Sequence, residues 1–361
     1  MHAVLWENGQ ITDLGTLEGG HTSGAFAVNS RGQVAGAAFI ASGHQRPFLW
    51  ENGVMHDLGT LGGPDAGLVG SFKGNVEMNE RGQVVACSDT NSTINSVTGT
   101  PTVDPFLWDK EQGMMDLGTL GGTSGCAIYL NNRGQVVGYS NLPGDLTTHP
   151  FLWSKPGPMQ DLGTLGGTFG FANWISDAGE IVGSATYEGD KVLHAFHWKN
   201  GIKTDLGTLP GDPCSASQAI NSKGQIVGSS QGVCFTNLQN ARAFLWENGG
   251  PMLDLNTLIL SGSGVQLVVA VDINNRGEIV GSGVPPGCDD VGTCGHAFLL
   301  IPCDEKHPDV EGCDYSMVEA NTAVPQTSPA VRNASSGTLP RSLMRRMNRY
   351  RFLGREIGPR N

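Results

Sequence analysis

Apolar positions in this chain fall into short runs, each closed by a polar turn rich in Asn and Gly, and the runs recur in a fixed order. An aromatic run comes first: "HAVLW" ending at Trp6, "PFLW" at Trp50, Trp108 and Trp153, "HAFHW" at Trp198 and "AFLW" at Trp246. Seven or eight residues after each tryptophan stands "DLGTL", at Asp13, Asp57, Asp116, Asp161 and Asp205, or "DLNTL" at Asp254. A third element follows each: "VNSRGQVAG", "MNERGQVVA", "LNNRGQVVG", "ISDAGEIVG", "INSKGQIVG" and "INNRGEIVG". A last aromatic run, "HAFLL", closes the series at Leu300. Successive tryptophans stand 44, 58, 45, 45 and 48 residues apart, a spacing that suits propeller blades.

Each unit predicts four short strands: the aromatic run (a), the strand around Asp-Leu-Gly-Thr-Leu (b), a strand ending at the Asn of the third element (c), and Gln-Val-Val-Gly (d). The "ENG" or "KNG" between a and b supplies the Asn-Gly pair of a tight hairpin, whose two central residues need positive φ. The "NSRG" or "NNRG" between c and d turns the chain in a similar way. Antiparallel four-stranded units with no helix between them predict an all-β fold, a β-propeller of six blades, with a β-solenoid as the second reading. Six units and one extra aromatic strand make 25 expected strands. They fit six blades with one overlapping strand, or seven with a truncated first blade. The chain opens inside a strand, so a start that has lost a signal peptide and part of a blade stays open.

Composition sharpens this picture. There are 53 glycines among 361 residues, as many tight turns would require, and charged residues make up only 16%. A net charge of −12 argues against a nucleic-acid partner. No apolar window reaches the length of a membrane span. The repeats occupy residues 1–300, a cysteine-containing loop is expected at 301–320 docked on the last blade, and a Pro-, Ser- and Thr-rich tail at 321–361. That tail cannot build a core. Its end gathers arginines with Leu343, Met344, Met347, Tyr350 and Phe352, the makings of a short basic amphipathic segment.

"DLGTLGG" invites reading as a phosphate loop, but no Lys follows any copy and no helix pattern does either. Six equivalents cannot all serve one substrate, so Asp13, Asp57, Asp116, Asp161, Asp205 and Asp254 are expected to form turns. Trp6, Trp50, Trp108, Trp153, Trp198 and Trp246 are expected to pack between blades. The first position of the aromatic strand varies: His2, Arg46, Asp104, His149, His194, Arg242 and His296. Its histidines are expected to be satisfied by backbone or neighbouring blades, too far apart to share one ion. Trp174, in "FANWIS", stands outside the tryptophan register and is the one candidate ligand platform, with core packing as the other and favoured reading. No cofactor and no metal site is expected.

The aromatic strand, Asp-Leu-Gly-Thr-Leu and Asn-x-x-Gly-Gln-Val-Val-Gly together resemble the HAF-repeat family, named for the run seen at His194-Ala195-Phe196 and His296-Ala297-Phe298. The resemblance covers residues 1 to about 300. It implies a bacterial extracellular or cell-surface repeat protein of propeller-like form, and supplies no catalytic residue.

Connection lengths point to a working surface. Alternating strand direction puts the b–c and d–a connections at one end, and the variable segments 62–74, 87–104, 229–241 and 282–295 all fall there. Loops on a rigid scaffold commonly carry binding. Their Ser, Thr, Asn and Gly suit a polar polymer, glycan or protein better than acid–base chemistry. The expectation is a non-catalytic secreted or surface binding module, acting as a monomer. The alternative is a propeller glycoside hydrolase or lyase, whose candidates outside the repeat are His21, Glu188, Asp190 and Asp289.

Eight cysteines pair off by position: Cys214 with Cys234, Cys288 with Cys294, Cys303 with Cys313, and Cys87 with Cys126. None has C-x-x-C spacing. Disulfides in an oxidising compartment are the expectation, with reduced, buried thiols as the alternative.

Overall fold

A computed structural model describes the chain except for residues 68–75, 236–237, 239, 260–263, 289–290, 305, 308–349 and 353–361. The chain divides into two compact units, Met1–Leu206 and Gly207–Asn361.

The first unit opens with a two-stranded sheet, β1 (Val4–Glu7) and β2 (Gln10–Asp13). Four sheets follow, each of four consecutive antiparallel strands. Blade I is β3 (Ser23–Val28), β4 (Val34–Phe39), β5 (Gln45–Glu51) and β6 (Val54–Asp57). Blade II is β7 (Glu77–Met78), β8 (Val84–Asp89), β9 (Val103–Asp109) and β10 (Gly113–Asp116). Blade III is β11 (Gly125–Leu130), β12 (Val136–Asn141), β13 (Thr148–Trp153) and β14 (Gln160–Asp161). Blade IV is β15 (Gly170–Ile175), β16 (Ile181–Thr186), β17 (Leu193–Lys199) and β18 (Ile202–Asp205). The second unit holds blade V, β19 (Cys214–Ile220), β20 (Ile226–Gln231), β21 (Ala241–Trp246) and β22 (Leu253–Asp254). It also holds blade VI, β23 (Gln266–Ile273), β24 (Ile279–Val284), β25 (His296–Pro302) and β26 (Tyr350–Phe352). The fold is an all-β propeller fold of four-stranded antiparallel blades.

The sequence phase needs one correction. A blade runs c–d–a–b rather than a–b–c–d, because each d strand pairs with the aromatic strand that follows it. The reason lies opposite the phenylalanine. Gly36, Gly138, Gly183, Gly228 and Gly281 face Phe48, Phe151, Phe196, Phe244 and Phe298. A Cβ on Gly138 would lie 2.0 Å from the Cys126 carbonyl oxygen, so only Gly permits this approach. The first strand bulges here, as between Ala127 and Tyr129 or Ala172 and Trp174, and brings that carbonyl inward. Blade II has Ala86 at this place, and its first strand is the shortest, Glu77–Met78.

The hairpins close as Asn-Gly chemistry dictates: Asn52 and Gly53 sit at φ 52° and 82°, Asn200 and Gly201 at 51° and 83°. Blades of the first unit pack through their apolar faces. Trp108 and Phe106 meet Ala35, Leu49 and Leu58 of blade I, Trp153 meets Val85 and Leu107 of blade II, and Trp198 joins Val137 and Leu152 of blade III. Trp6 departs from this role and is 70% exposed.

The Asn-x-x-Gly turn also joins blades. Asn79 Oδ1 accepts the N–H groups of Arg81 and Gln83, both at 3.0 Å, and so shapes its own turn. Its Nδ2 donates to the Asn131 carbonyl of the next blade at 3.0 Å. Asn29 does the same to Asn79, Asn131 to Ser176, and in the second unit Asn221 to Asn274.

Of the basic C-terminal segment, Tyr350–Phe352 is a strand antiparallel to β25. Most of the expected tail lies outside the described residues. Among the described residues no helix is long and apolar enough to cross a membrane.

Candidate functional site

At the end of the first unit where d–a and b–c connections emerge, the loops are stitched together. Gly63, Gly122 and Gly167 donate their N–H groups to the carbonyls of Asp89, Asn141 and Thr186, at 3.0, 3.0 and 2.9 Å. Two carboxylates complete the stitching. Asp145 accepts Thr123 N–H at 2.7 Å and its hydroxyl at 2.8 Å, and Asp190 does the same with Thr168 at 2.7 and 2.7 Å. Asn95, from the long loop of blade II, reaches both Thr123 Oγ1 at 2.6 Å and Asp145 Oδ2 at 3.2 Å. Burial pushes the Asp145 carboxyl up, but these donors outweigh it and hold the group below its ordinary range. Hydrogen bonds from Thr186 and Thr168 lower that of Asp190. Both carboxylates are loop staples rather than proton donors.

At the variable first position of the aromatic strand, His2, His149 and His194 find their partner in an Asp of their own sheet, not in the backbone or the next blade as expected, whereas Arg46 donates to the Gln45 and Pro64 carbonyls. The pairs are His2 with Asp13 at 2.9 Å, His149 with Asp161 at 2.8 Å, His194 with Asp205 at 3.0 Å and, at the Asp-Leu-Asn-Thr-Leu copy, Arg242 with Asp254 at 3.0 Å. The same Asp accepts a backbone N–H two residues on, as Asp116 does from Gly118 at 2.7 Å and Asp161 from Gly163 at 2.7 Å. Asp57 accepts likewise from Gly59 at 2.8 Å. Blade II breaks the pattern by placing Asp104 where the others carry His or Arg. Burial, and then the charge of Asp116, pushes the Asp104 carboxyl up to about 6. Its Oδ1 is buried with no hydrogen-bond partner among the described residues.

The second unit holds a cavity of about 260 Å³, lined by Leu238, Asn240, Gln266, Val268, Val284, Cys288 and Val291. Two of the variable d–a segments and the start of β23 form its walls. Phe235, Leu238 and Asn240 in one wall all take left-handed backbone, at φ 59°, 59° and 56°. For Phe and Leu this conformation is costly, and such strain concentrates at ligand sites. Disulfides brace both walls: Cys214–Cys234 with Cα atoms 5.5 Å apart, and Cys288–Cys294 with 6.0 Å. A short helix, Val291–Cys294, carries the second. Gln266 Nε2 donates to the Ala241 carbonyl at 3.1 Å and ties β23 to the other wall.

A third bridge, Cys87–Cys126, joins blade II to blade III with Cα atoms 4.7 Å apart. Cys303 is disulfide-bonded too, and its expected partner Cys313 lies outside the described residues. Bridges in this number are the signature of an oxidising compartment.

Trp174 does not stand free. Its ring stacks on Tyr129 of the preceding blade, 3.7 Å between centroids and 18° between planes. His21 and Glu188 are exposed, Asp190 is a staple, and Asp289 lies outside the described residues. Among the described residues no three His, Cys, Asp or Glu side chains are placed to hold a metal ion. Leu238 and Asn240 were not legible as site residues, since nothing in "CFTNLQNA" marks a left-handed backbone beyond its Asn residues. The only signal was the variable length of their loop.

No family model and no curated protein matches the chain. Solved structures similar to it include the β-propeller domain of the trilobed protease from Pyrococcus furiosus, with a TM-score of 0.47, 8% identity, and coverage of 80% of this chain and 82% of that one. An acylaminoacyl peptidase in complex with a chloromethyl ketone gives 0.47 and 11%, covering 80% of this chain and 44% of that one. TolB from Acinetobacter baumannii gives 0.40 and 13%, covering 61% and 50%. The chain thus spans under half the length of that peptidase. The propeller assignment rests on the strand order, and no residue role is carried over from these proteins.

Proposed function

We propose that the chain is a non-catalytic, secreted or cell-surface binding module of the HAF-repeat type, taking a polar polymer, glycan or protein at its loop-bearing end and acting as a monomer. The observation that carries this reading is the 260 Å³ cavity walled by variable loops. It is concave, it mixes Asn and Gln with Leu and Val, and its left-handed backbone is braced by two disulfides. Its exposed lining is mostly polar, which suits a polar ligand. The disulfides and the resemblance of the repeats support an extracellular setting.

A glycan array probed with the purified chain tests it, alongside Val291→Trp, which fills the cavity from its wall. Binding that Val291→Trp abolishes is the expected result. An array without hits, or one unchanged by the substitution, overturns the proposal.

One observation favours the second reading, a glycoside hydrolase or lyase. Asp104, raised to about 6 by burial and then by the charge of Asp116, keeps its proton to a higher pH than an ordinary aspartate, as a general acid does. Release of reducing sugar from a polysaccharide panel, lost in Asp104→Asn, would select that reading instead.

A further inference from the structure

The Asn-x-x-Gly turns lie at the end of the first unit opposite its long loops, and their two middle residues divide the work. The first of them links one blade to the next. Ser30 donates its N–H and its hydroxyl to Glu80 at 3.1 and 2.5 Å, and Asn132 donates its N–H and Nδ2 to Asp177 at 2.8 and 3.0 Å. The carboxylates of these turns are thereby engaged by their neighbours.

The second middle residue is Arg31, Arg81 and Arg133 in three consecutive blades, each exposed. Arg31 reaches forward over the buried Gly82 of blade II, where a Cβ would stand 2.9 Å from its Nη2. Arg81 reaches in the same way over the buried Gly134 of blade III, where the distance would be 2.7 Å. The guanidiniums thus follow one another in a row. Arg81 donates to Gln83 of its own turn at 2.6 Å, while among the described residues no acceptor engages the side chain of Arg31 or Arg133.

Beside Arg31 opens a hollow of about 220 Å³, lined also by Gly32, Gln33, Glu51 and Asn52. Its one carboxylate is already matched. Lys110 of blade II stands 2.5 Å from Glu51 and Gln33 Nε2 donates to it at 2.7 Å, and these donors hold the carboxyl below its ordinary range. An incoming group therefore meets an unengaged guanidinium and no unbalanced negative charge.

We propose that this row binds an acidic polysaccharide through its carboxylates, with one uronate seated in the hollow beside Arg31 and others further along at Arg81 and Arg133. A guanidinium fork matches a carboxylate with two parallel hydrogen bonds. Sheets packed face to face stand roughly 10 Å apart, which sets the step between successive turns. A uronate chain whose carboxylates alternate in side presents one to a surface at every second ring, at about that step. A nucleic-acid strand carries its phosphates much closer together, and the net charge of −12 repels so dense an anion. The residues after 307 are a poor occupant, because they carry more Lys and Arg than Asp and Glu. This surface is a second one, at the other end of the blades from the loops and independent of what those loops bind.

The test titrates the intact chain into fluorescein-labelled oligogalacturonate and alginate oligomers and reads anisotropy. Saturable binding that weakens as salt rises is expected, and the methyl-esterified galacturonate oligomer, with the same sugars uncharged, should not bind. Arg31→Ala and Arg133→Ala are each expected to weaken binding about tenfold, as loss of a charge-assisted hydrogen bond does, with no change in melting temperature. Val291→Trp, in the second unit, should leave it unchanged, which separates this surface from the cavity. No binding of either oligomer, undiminished binding by the arginine variants, or equally tight binding of single-stranded DNA overturns the proposal. So does loss of binding in Val291→Trp.

Discussion

The side-chain Nδ2 of Asn79 donates to the main-chain carbonyl of Asn131, 3.0 Å away and one blade further along. Asn79 is 5% exposed, so both ends of this bond are shut off from water. Replacing Asn79 with Ala leaves the Asn131 carbonyl only the Gly134 N–H, at 3.0 Å, and strands the N–H groups of Arg81 and Gln83. The expected loss is about 2–3 kcal/mol, since buried polar groups left without partners are costly. Urea unfolding measures it. Ser30→Ala, at an exposed turn position in the preceding blade, serves as a control that should cost less.

Asp104 makes stability depend on pH in a stated direction. Its carboxyl is raised from 3.8 to about 6, so the folded state holds that proton more tightly than the unfolded state does. Ionisation therefore opposes folding. The penalty is full above about 6 and disappears as the pH falls towards 3.8. Asp104→Asn is expected to melt higher than the parent at pH 7.5, with the difference shrinking at pH 4.5. Asp104→His, which restores the pairing seen at His149 and Asp161, should also melt higher at neutral pH. Melting curves of the three proteins at both pH values check this, and a difference independent of pH would contradict it.

The bridges whose two ends are both described should differ in worth. Cys87–Cys126 closes 39 residues and Cys288–Cys294 closes 6. The chain-entropy relation gives about 4 kcal/mol for the longer loop and about 2 for the shorter. Double Cys→Ala variants, unfolded in guanidinium, should rank in that order. Cys87–Cys126 also crosses between blades, so its loss should broaden the transition of the first unit.

Gly138→Ala tests why the second strand carries glycine at its third position. A methyl group there would sit 2.0 Å from the Cys126 carbonyl oxygen and 3.0 Å from the Ala127 Cα. Backbone must move to admit it, at roughly 2–3 kcal/mol. The same change at Ala86, run in reverse to Gly, should cost under about 1 kcal/mol, the conformational freedom of the unfolded chain. Thermal melts of both decide.

Strand identity was legible because each strand has its own chemistry: Phe-Leu-Trp, Asp-Leu-Gly-Thr-Leu, Gln-Val-Val-Gly. The grouping of strands into blades was not. Two tight hairpins, Asn52-Gly53 and Asn29-to-Gly32, mark both the a–b and the c–d pairs, and the longer connections on either side look alike. The contact that decides is Gly36 against Phe48, between hairpins, and it has no local signature. His149 and Asp161 were each singled out, yet their partnership depends on the β13–β14 register. Asn79 reads as a turn residue, and it is one; its second bond reaches a carbonyl 52 residues away. The strand Tyr350–Phe352 was hidden in a basic segment whose composition suggests no sheet. The cavity depends on backbone angles at Leu238 and Asn240 that those residue types do not favour.

The asparagine bonds all run the same way, from the turn of one blade to the carbonyl of the next: Asn29 to Asn79, Asn79 to Asn131, Asn131 to Ser176, and again Asn221 to Asn274. Donor and acceptor both belong to the repeat itself. A duplicated copy therefore arrives with its connector on one side and its socket on the other, and can be inserted or lost without redesigning its neighbours.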